Sequence, residues 1–399
     1  MAHCRASSDF IIVGARSKLF VFNASQEFNR ALDLEELTKD VSTYSKGNCP
    51  SSADKQASLS KSSRAQCFFQ VLGLAFSPSG SLCCVVTSAK LAYVFECRNN
   101  WTQHPASPIR LPKAPTAVAF DNDEKHIIVA DRAGNVNRYE MEKKEYAEGT
   151  KWQDINGEEH DIPLDPLLGH ISIIFDMCLT EDGKFILTGD RDEKLRIARY
   201  PQTYIIEHFC LGHSSYVKSI QTVGNLVFTS GGDSTIRVWD LVSGETLATS
   251  DRLDESSVRY IRAFKSSQEN SVTISVVFEK SGTVKSLNYD ASSKTFGNFS
   301  SQQITEEGTI SDLAYTPDGK LFFLTSSAVG SISESGKFSP LTVPETFAES
   351  LKQAADPIEK LEKVVQFNNM EEYLERKEQR IRKRKHDGSD NEEVAEKSS

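Results

Sequence analysis

The chain has 399 residues, 38% of them hydrophobic and 26% charged, which suits one large repeat domain or two to three ordinary ones. Its net charge of -10 excludes a surface that is a nucleic-acid footprint throughout, so any RNA contact is local. No apolar run reaches the roughly 18 to 20 residues that span a bilayer, and residues 1–8 lack the apolar centre of a secretory signal, so an intracellular protein is expected.

Residues 10–13 and 19–22 are β-rich runs around a turn at 14–18, which predicts a hairpin. Residues 38–64 are rich in Ser and Lys and poor in apolar side chains, so a disordered insertion is predicted there. A unit then recurs. V-L-G-L-A-F-S-P-S-G begins at Val71, T-A-V-A-F-D-N-D-E-K at Thr116, I-F-D-M-C-L-T-E-D-G at Ile174, Y-V-K-S-I-Q-T-V-G-N at Tyr216 and I-S-D-L-A-Y-T-P-D-G at Ile310. A weaker copy covers 258–289. Each reads as strand, tight turn, strand, turn, strand, and S-P-S-G, T-E-D-G and T-P-D-G put turn chemistry at the same point.

The copies start roughly 40 to 60 residues apart, which matches a propeller blade of about 40 to 45 residues plus loops. A four-stranded blade has two partly apolar faces that neighbours must cover, so the array has to close into a ring. With the N-terminal hairpin, the prediction is an all-β, seven-bladed β-propeller whose first blade is completed in part by other segments. Six and eight blades are the neighbouring alternatives.

Beyond Ser339 the period changes from two to a helical one. Pro344 near a helix start precedes Phe347 and Leu351, and Asp356-Pro357 restarts a helix carrying Ile358, Leu361 and Val365. The expected organisation is a propeller over 1–340, a C-terminal helical extension over 341–385 and a disordered acidic tail over 386–399. The run 376–385 is strongly basic. It reads as a solvated helix end, a nuclear localisation signal or an RNA-phosphate contact, the last through Arg380, Arg382, Lys383, Arg384 and Lys385. The nucleus is the expected compartment, with the cytoplasm as a second.

The eight cysteines form no C-x-x-C pair and no metal-like spacing with histidine, so buried reduced thiols and no metal are expected. Neither a phosphate loop nor G-x-G-x-x-G before a helix is present. His213, Thr229, Asp233 and Trp239 lie at the spacing of the structural hydrogen-bond tetrad of WD repeats, an assignment that leaves no nucleophile elbow for a hydrolase. The preceding repeat offers His170, Thr188 and Asp192, but Ala198 stands where Trp239 stands, so that tetrad is incomplete. The predicted inner strands carry mainly Ala, Val, Leu, Ile and Ser, which disfavours a catalytic site in a central channel.

Asp190, Arg191, Asp192, Glu193, Lys194, Arg196 and Arg199 crowd one turn and one strand. Solvated rim charge is the plain reading, and charge pairing with a partner is the other. G-D-R-D-E-K-L-R-I-A-R-Y-P, followed by F-C-L-G-H-S-S-Y-V-K-S-I, resembles the corresponding segment of the WD-repeat non-catalytic subunit of tRNA (guanine-N7-)-methyltransferase. The resemblance extends to A-V-A-F and I-I-V-A-D-R-A-G-N-V and covers about 71–240 well.

That resemblance implies a propeller without catalysis, needing no cofactor of its own. It would bind and stabilise a separate Rossmann-type subunit that holds S-adenosylmethionine and methylates N7 of a guanosine in the tRNA variable loop. Arg191, Lys194 and Arg196 would face acidic groups of that catalytic subunit in a heterodimer, tRNA would be met through the complex, and Asp192 would be structural. The competing expectation is a substrate adaptor of a cullin-type ubiquitin ligase, or a general scaffold. The W-D-x-R that such adaptors carry is absent, since Trp239-Asp240-Leu241 is followed by Val242.

Overall fold

The computed structural model describes residues 2–38, 69–142, 144–147, 149–266, 270–297, 299–305, 308–332 and 338–354. The insertion beyond Thr38, the basic residues Arg380, Arg382, Lys383, Arg384 and Lys385, and the acidic tail lie outside these residues. So does the whole of the second compact unit, Glu362–Ser399.

Seven antiparallel blade sheets follow one another along the chain, five of four strands and two of five, and a two-stranded hairpin at 152–160 is inserted in the third. We number them as blades 1 to 7: residues 2–33, 71–110, 115–169, 174–211, 217–249, 258–303 and 310–340. In six of the seven blades the second strand is buried at every residue but its first. Leu82–Thr87 (L-C-C-V-V-T) and Leu226–Gly231 are buried almost throughout, as expected for strands covered on both faces. In S-P-S-G, T-E-D-G and T-P-D-G the glycine holds φ of +68, +66 and +87, a left-handed conformation that closes the turn between the first two strands.

The first strand of each blade packs against the first strands of the blades on both sides, and Ala2–Ala6 of blade 1 meets Ile310–Tyr315 of blade 7. The ring is therefore closed. Seven apolar clusters fill the seven gaps, so the core is a circle of interfaces rather than one central mass. The helix Glu345–Gln353 reinforces the gap between blades 7 and 1. Phe347 and Leu351, four residues apart, share one helix face, and Phe347 stands edge-on to Phe20 at 4.9 Å.

One expectation needs correction. Blade 1 is not completed by other segments: Ala2–Ala6, Phe10–Ala15, Lys18–Asn23 and Phe28–Asp33 form it alone. The channel lining is mainly apolar, as expected, with charged exceptions. Arg5, Asp176 and Arg262 line a central cavity of about 670 Å³, and Asp312 is buried against its wall. Asp176 and Asp312 tie successive blades together: Asp176 Oδ2 accepts the Ile220 N–H at 2.8 Å, and Asp312 Oδ2 accepts the Cys4 N–H at 3.1 Å.

Among the described residues six cysteines are free thiols, five of them buried. Burial pushes Cys4, Cys97 and Cys210 up to about 12, so they pack as small apolar side chains. Among those residues no helix is long and apolar enough to cross a membrane.

Candidate functional site

Blade 5 shows the tetrad in full. His213 Nδ1 lies 2.8 Å from Asp233 Oδ2, His213 Nε2 lies 2.8 Å from Thr229 Oγ1, and Trp239 Nε1 donates to the same hydroxyl at 2.8 Å. One proton arrangement satisfies every atom: the indole N–H donates to Thr229, the Thr229 hydroxyl to His213 Nε2, and Nδ1–H to the carboxylate. Burial opposes ionisation of Asp233, but the His213 hydrogen bond and the N–H groups of Thr235 and Ser214 outweigh it and hold the carboxyl at about 2. His213 thus pins the loop before blade 5 to that blade's own second turn.

In blade 4 the same device uses a different carboxylate from the one expected. His170 Nε2 lies 2.8 Å from Thr188 Oγ1, but His170 Nδ1 meets Asp190 Oδ2 at 3.0 Å rather than Asp192. Asp190 ends its strand two residues after Thr188, so both side chains share one face. Blade 5 has Gly231 at that register position, where a Cβ would fall 1.9 Å from the Tyr216 carbonyl oxygen, and its acid sits two residues later. Asp192 only donates its N–H, to Asp190 Oδ1 at 2.9 Å. Ala198 occupies the register position of Trp239, opposite Ile186 as Trp239 is opposite Val227.

Asp190 therefore organises the charged turn. Its Oδ1 accepts the N–H groups of Asp192 and Lys194, its Oδ2 meets His170, and these bonds lower its pKa against the cost of burial. Glu193 sits at φ +72, a strained conformation for a residue with a Cβ. Side-chain hydrogen bonds within the chain thus hold the turn in place without a partner. Arg191 and Lys194 are half-buried on it.

Arg196 is placed differently from expectation. It is buried, and its guanidinium donates to Gly169 O of blade 3 and Thr203 O, both at 3.2 Å. Among the described residues no carboxylate pairs with it. Its role in the free chain is to hold the 200–205 loop and blade 3 against blade 4, so it positions the corner rather than presenting a charge.

Two buried acids that the sequence reading did not single out bear on the scaffold. Asp131 occupies in blade 3 the register position of Asp190 and caps its turn through the N–H groups of Ala133 and Asn135, at 2.8 and 3.1 Å. Its Oδ2 is buried with no partner, and burial raises its pKa. The second is Asp312, whose Oδ1 meets Arg262 Nη2 and whose Oδ2 meets Arg5 Nη1, each at 2.9 Å. Burial disfavours its charge, but the two guanidinium groups prevail and lower its pKa. The arginines beside it mark a closure device.

A family model described as the WD40 domain of the tRNA methyltransferase TRM82 matches residues 24–151 and 135–337, the greater part of the propeller. The chain belongs to this family. A Caenorhabditis elegans protein named tRNA (guanine-N(7)-)-methyltransferase non-catalytic subunit is 33% identical over 309 residues, covering 74% of this chain and 72% of that protein. The Drosophila melanogaster protein of the same name, wuho, is 32% identical over 181 residues, 44% of this chain and 38% of its own length. The Eremothecium gossypii subunit TRM82 is 34% identical over 145 residues, 35% of this chain and 29% of its own. A chain from the solved mitotic checkpoint complex covers 85% of this chain and 90% of its own length with a TM-score of 0.59 at 16% identity, a likeness of fold alone. Within the TRM82 family match fall the blade 4 turn, both histidine devices and the Arg262–Asp312 pair.

Proposed function

We propose that this chain is the non-catalytic subunit of a heterodimeric tRNA (guanine-N7-)-methyltransferase. It binds and stabilises an S-adenosylmethionine-dependent catalytic subunit that forms 7-methylguanosine in the tRNA variable loop. The observation that carries this reading is the family match across the propeller, with relatives that bear the non-catalytic subunit name. The blade 4 turn supports it: Arg191 and Lys194 stand on a corner preorganised by Asp190 and His170, a geometry suited to charge-assisted hydrogen bonds with a partner's carboxylates. Arg196 supports the same corner from beneath.

The basic residues Arg380, Arg382, Lys383, Arg384 and Lys385 are proposed to contact tRNA phosphates within the complex, and the run around them to direct the chain to the nucleus. The relatives' names do not favour a ubiquitin-ligase adaptor. Deleting the chain from cells and measuring 7-methylguanosine in purified tRNA tests the reading. Loss of the modification is expected, and an unchanged level overturns it.

A further inference from the structure

The first strands of all seven blades line the central cavity, and its charged groups are not all matched within the chain. Arg262 is fully engaged: Nε donates to Leu313 O at 3.0 Å, Nη1 to Ile261 O at 2.9 Å and Nη2 to Asp312 Oδ1 at 2.9 Å. Arg5 is not. Its Nη1 donates to Cys4 O at 2.7 Å and to Asp312 Oδ2 at 2.9 Å, but among the described residues nothing accepts from its Nε or Nη2, and its side chain is 31% exposed. One carboxylate therefore serves two guanidinium groups, and Arg5 lines the cavity with an edge still open.

Asp176 is the opposite case. It stands half-buried on the cavity wall and accepts only N–H groups, that of Ile220 on Oδ2 at 2.8 Å and that of Met177 on Oδ1 at 2.9 Å. Among the described residues it forms no ion pair. Burial raises its pKa, which the Ile220 N–H and the charges of Arg262 and Arg5 offset only in part. Gln221, next to Ile220, also lines the cavity, and since its Nε2 donates to Ile220 O at 2.6 Å, its Oε1 is left as a further acceptor. Phe76, Val118, Ala119, Leu179 and Ala263 supply apolar lining around these groups.

We infer that the central cavity binds a free α-amino acid with a large apolar side chain, its carboxylate on Arg5 and its ammonium group on Asp176 and Gln221. The ligand class follows from the charges. An anion alone would face Asp176, and a cation alone would face Arg5, whereas a zwitterion answers both with charge-assisted hydrogen bonds. The volume of about 670 Å³ lies within the usual range of small-molecule pockets, where apolar lining is combined with a few convergent polar groups. Pro78, Asn122 and Glu181 edge the cavity from turns between first and second strands, whereas the charged turn at 191–194 joins a second strand to a third. Antiparallel pairing puts the two kinds of turn at opposite ends of the ring, so the cavity is separate from the charged turn.

The test is calorimetric titration of the full-length chain alone with L-methionine, L-leucine and L-phenylalanine. Saturable one-site binding of at least one of them is expected, and its absence for all three overturns the inference. The N-acetyl derivative of the bound amino acid lacks the cation and its amide lacks the anion. Each is expected to bind the unmutated chain roughly tenfold more weakly or worse. Undiminished affinity for either overturns the inference with no variant needed. Arg5→Gln should bind the amino acid and its amide equally, because the group that distinguishes them is gone. A variant that still prefers the free carboxylate as strongly as the wild type places the ligand elsewhere and overturns the assignment.

Discussion

Asp312 of blade 7 accepts the backbone N–H of Cys4 of blade 1, 308 positions earlier in the chain, while Arg5 and Arg262 hold its two oxygens. Blades 1 and 7 exchange no strand, so this carboxylate and the apolar cluster around Phe20, Phe22 and Phe347 are what close the ring.

Asp312→Ala leaves two guanidinium groups and a buried N–H without their acceptor. The expected loss is about 3 to 5 kcal/mol, the range for removing one member of a buried ion pair. Chemical denaturation of the two proteins measures it. A loss below about 1 kcal/mol would mean that the helix and the aromatic cluster suffice.

The pH dependence has a definite sign. Asp190, Asp233 and Asp312 all have lowered pKa values in the fold, Asp233 at about 2. Between these values and the unfolded value of about 3.9, the unfolded chain binds more protons, so their stabilisation is complete above about pH 4 and is lost as pH falls through the folded values. For Asp233 alone this is on the order of 2 to 3 kcal/mol. Asp131 and Asp176, raised by burial, act in the opposite direction and soften the acid limb. Thermal melts from pH 6 to pH 3 should fall less steeply in Asp233→Asn than in the wild type.

Asp190→Asn and Asp131→Asn separate two acids at the same register position. Asp190 has an imidazole to bind and should cost about 1 to 3 kcal/mol when changed. Asp131 Oδ2 has no partner, so Asp131→Asn is expected to be neutral or stabilising at pH 7. A neutral Asp190→Asn would show that turn capping by Oδ1, which asparagine keeps, is all that either residue does.

His213→Ala strands Asp233 and Thr229 and should cost about 1 to 3 kcal/mol without changing partner affinity. Arg196→Leu frees the carbonyls of Gly169 and Thr203 and should both destabilise the chain, by about 1 to 2 kcal/mol, and weaken the complex, because the corner beneath the charged turn loses its support. Paired melting and binding measurements on the two variants check the contrast.

The propeller was legible because its turns are chemical. T-E-D-G and T-P-D-G require one glycine φ, and His213 to Trp239 spans one unbroken repeat. Blade 1 showed only its middle hairpin, since A-H-C-R-A and F-N-R-A-L-D carry no period-two pattern, yet burial against blade 7 makes the first a strand. Asp192 was chosen over Asp190 by counting along the repeat, whereas the pleat decides which acid shares a face with Thr188. Asp176 and Asp312 stood inside the recurring strands I-F-D-M-C-L and I-S-D-L-A-Y, but their acceptors' value is set by the neighbouring blade's N–H, which no local pattern reveals.

The central claim is that this chain is one half of a methyltransferase. The most direct measurement combines the purified chain with the catalytic subunit of its organism, and reads stoichiometry together with N7 methylation of guanosine in tRNA. A one-to-one complex that methylates tRNA, with no activity from this chain alone and a sharp fall when it is withdrawn, is the expected result. A catalytic subunit that forms no complex with it and methylates equally well in its absence would contradict the claim.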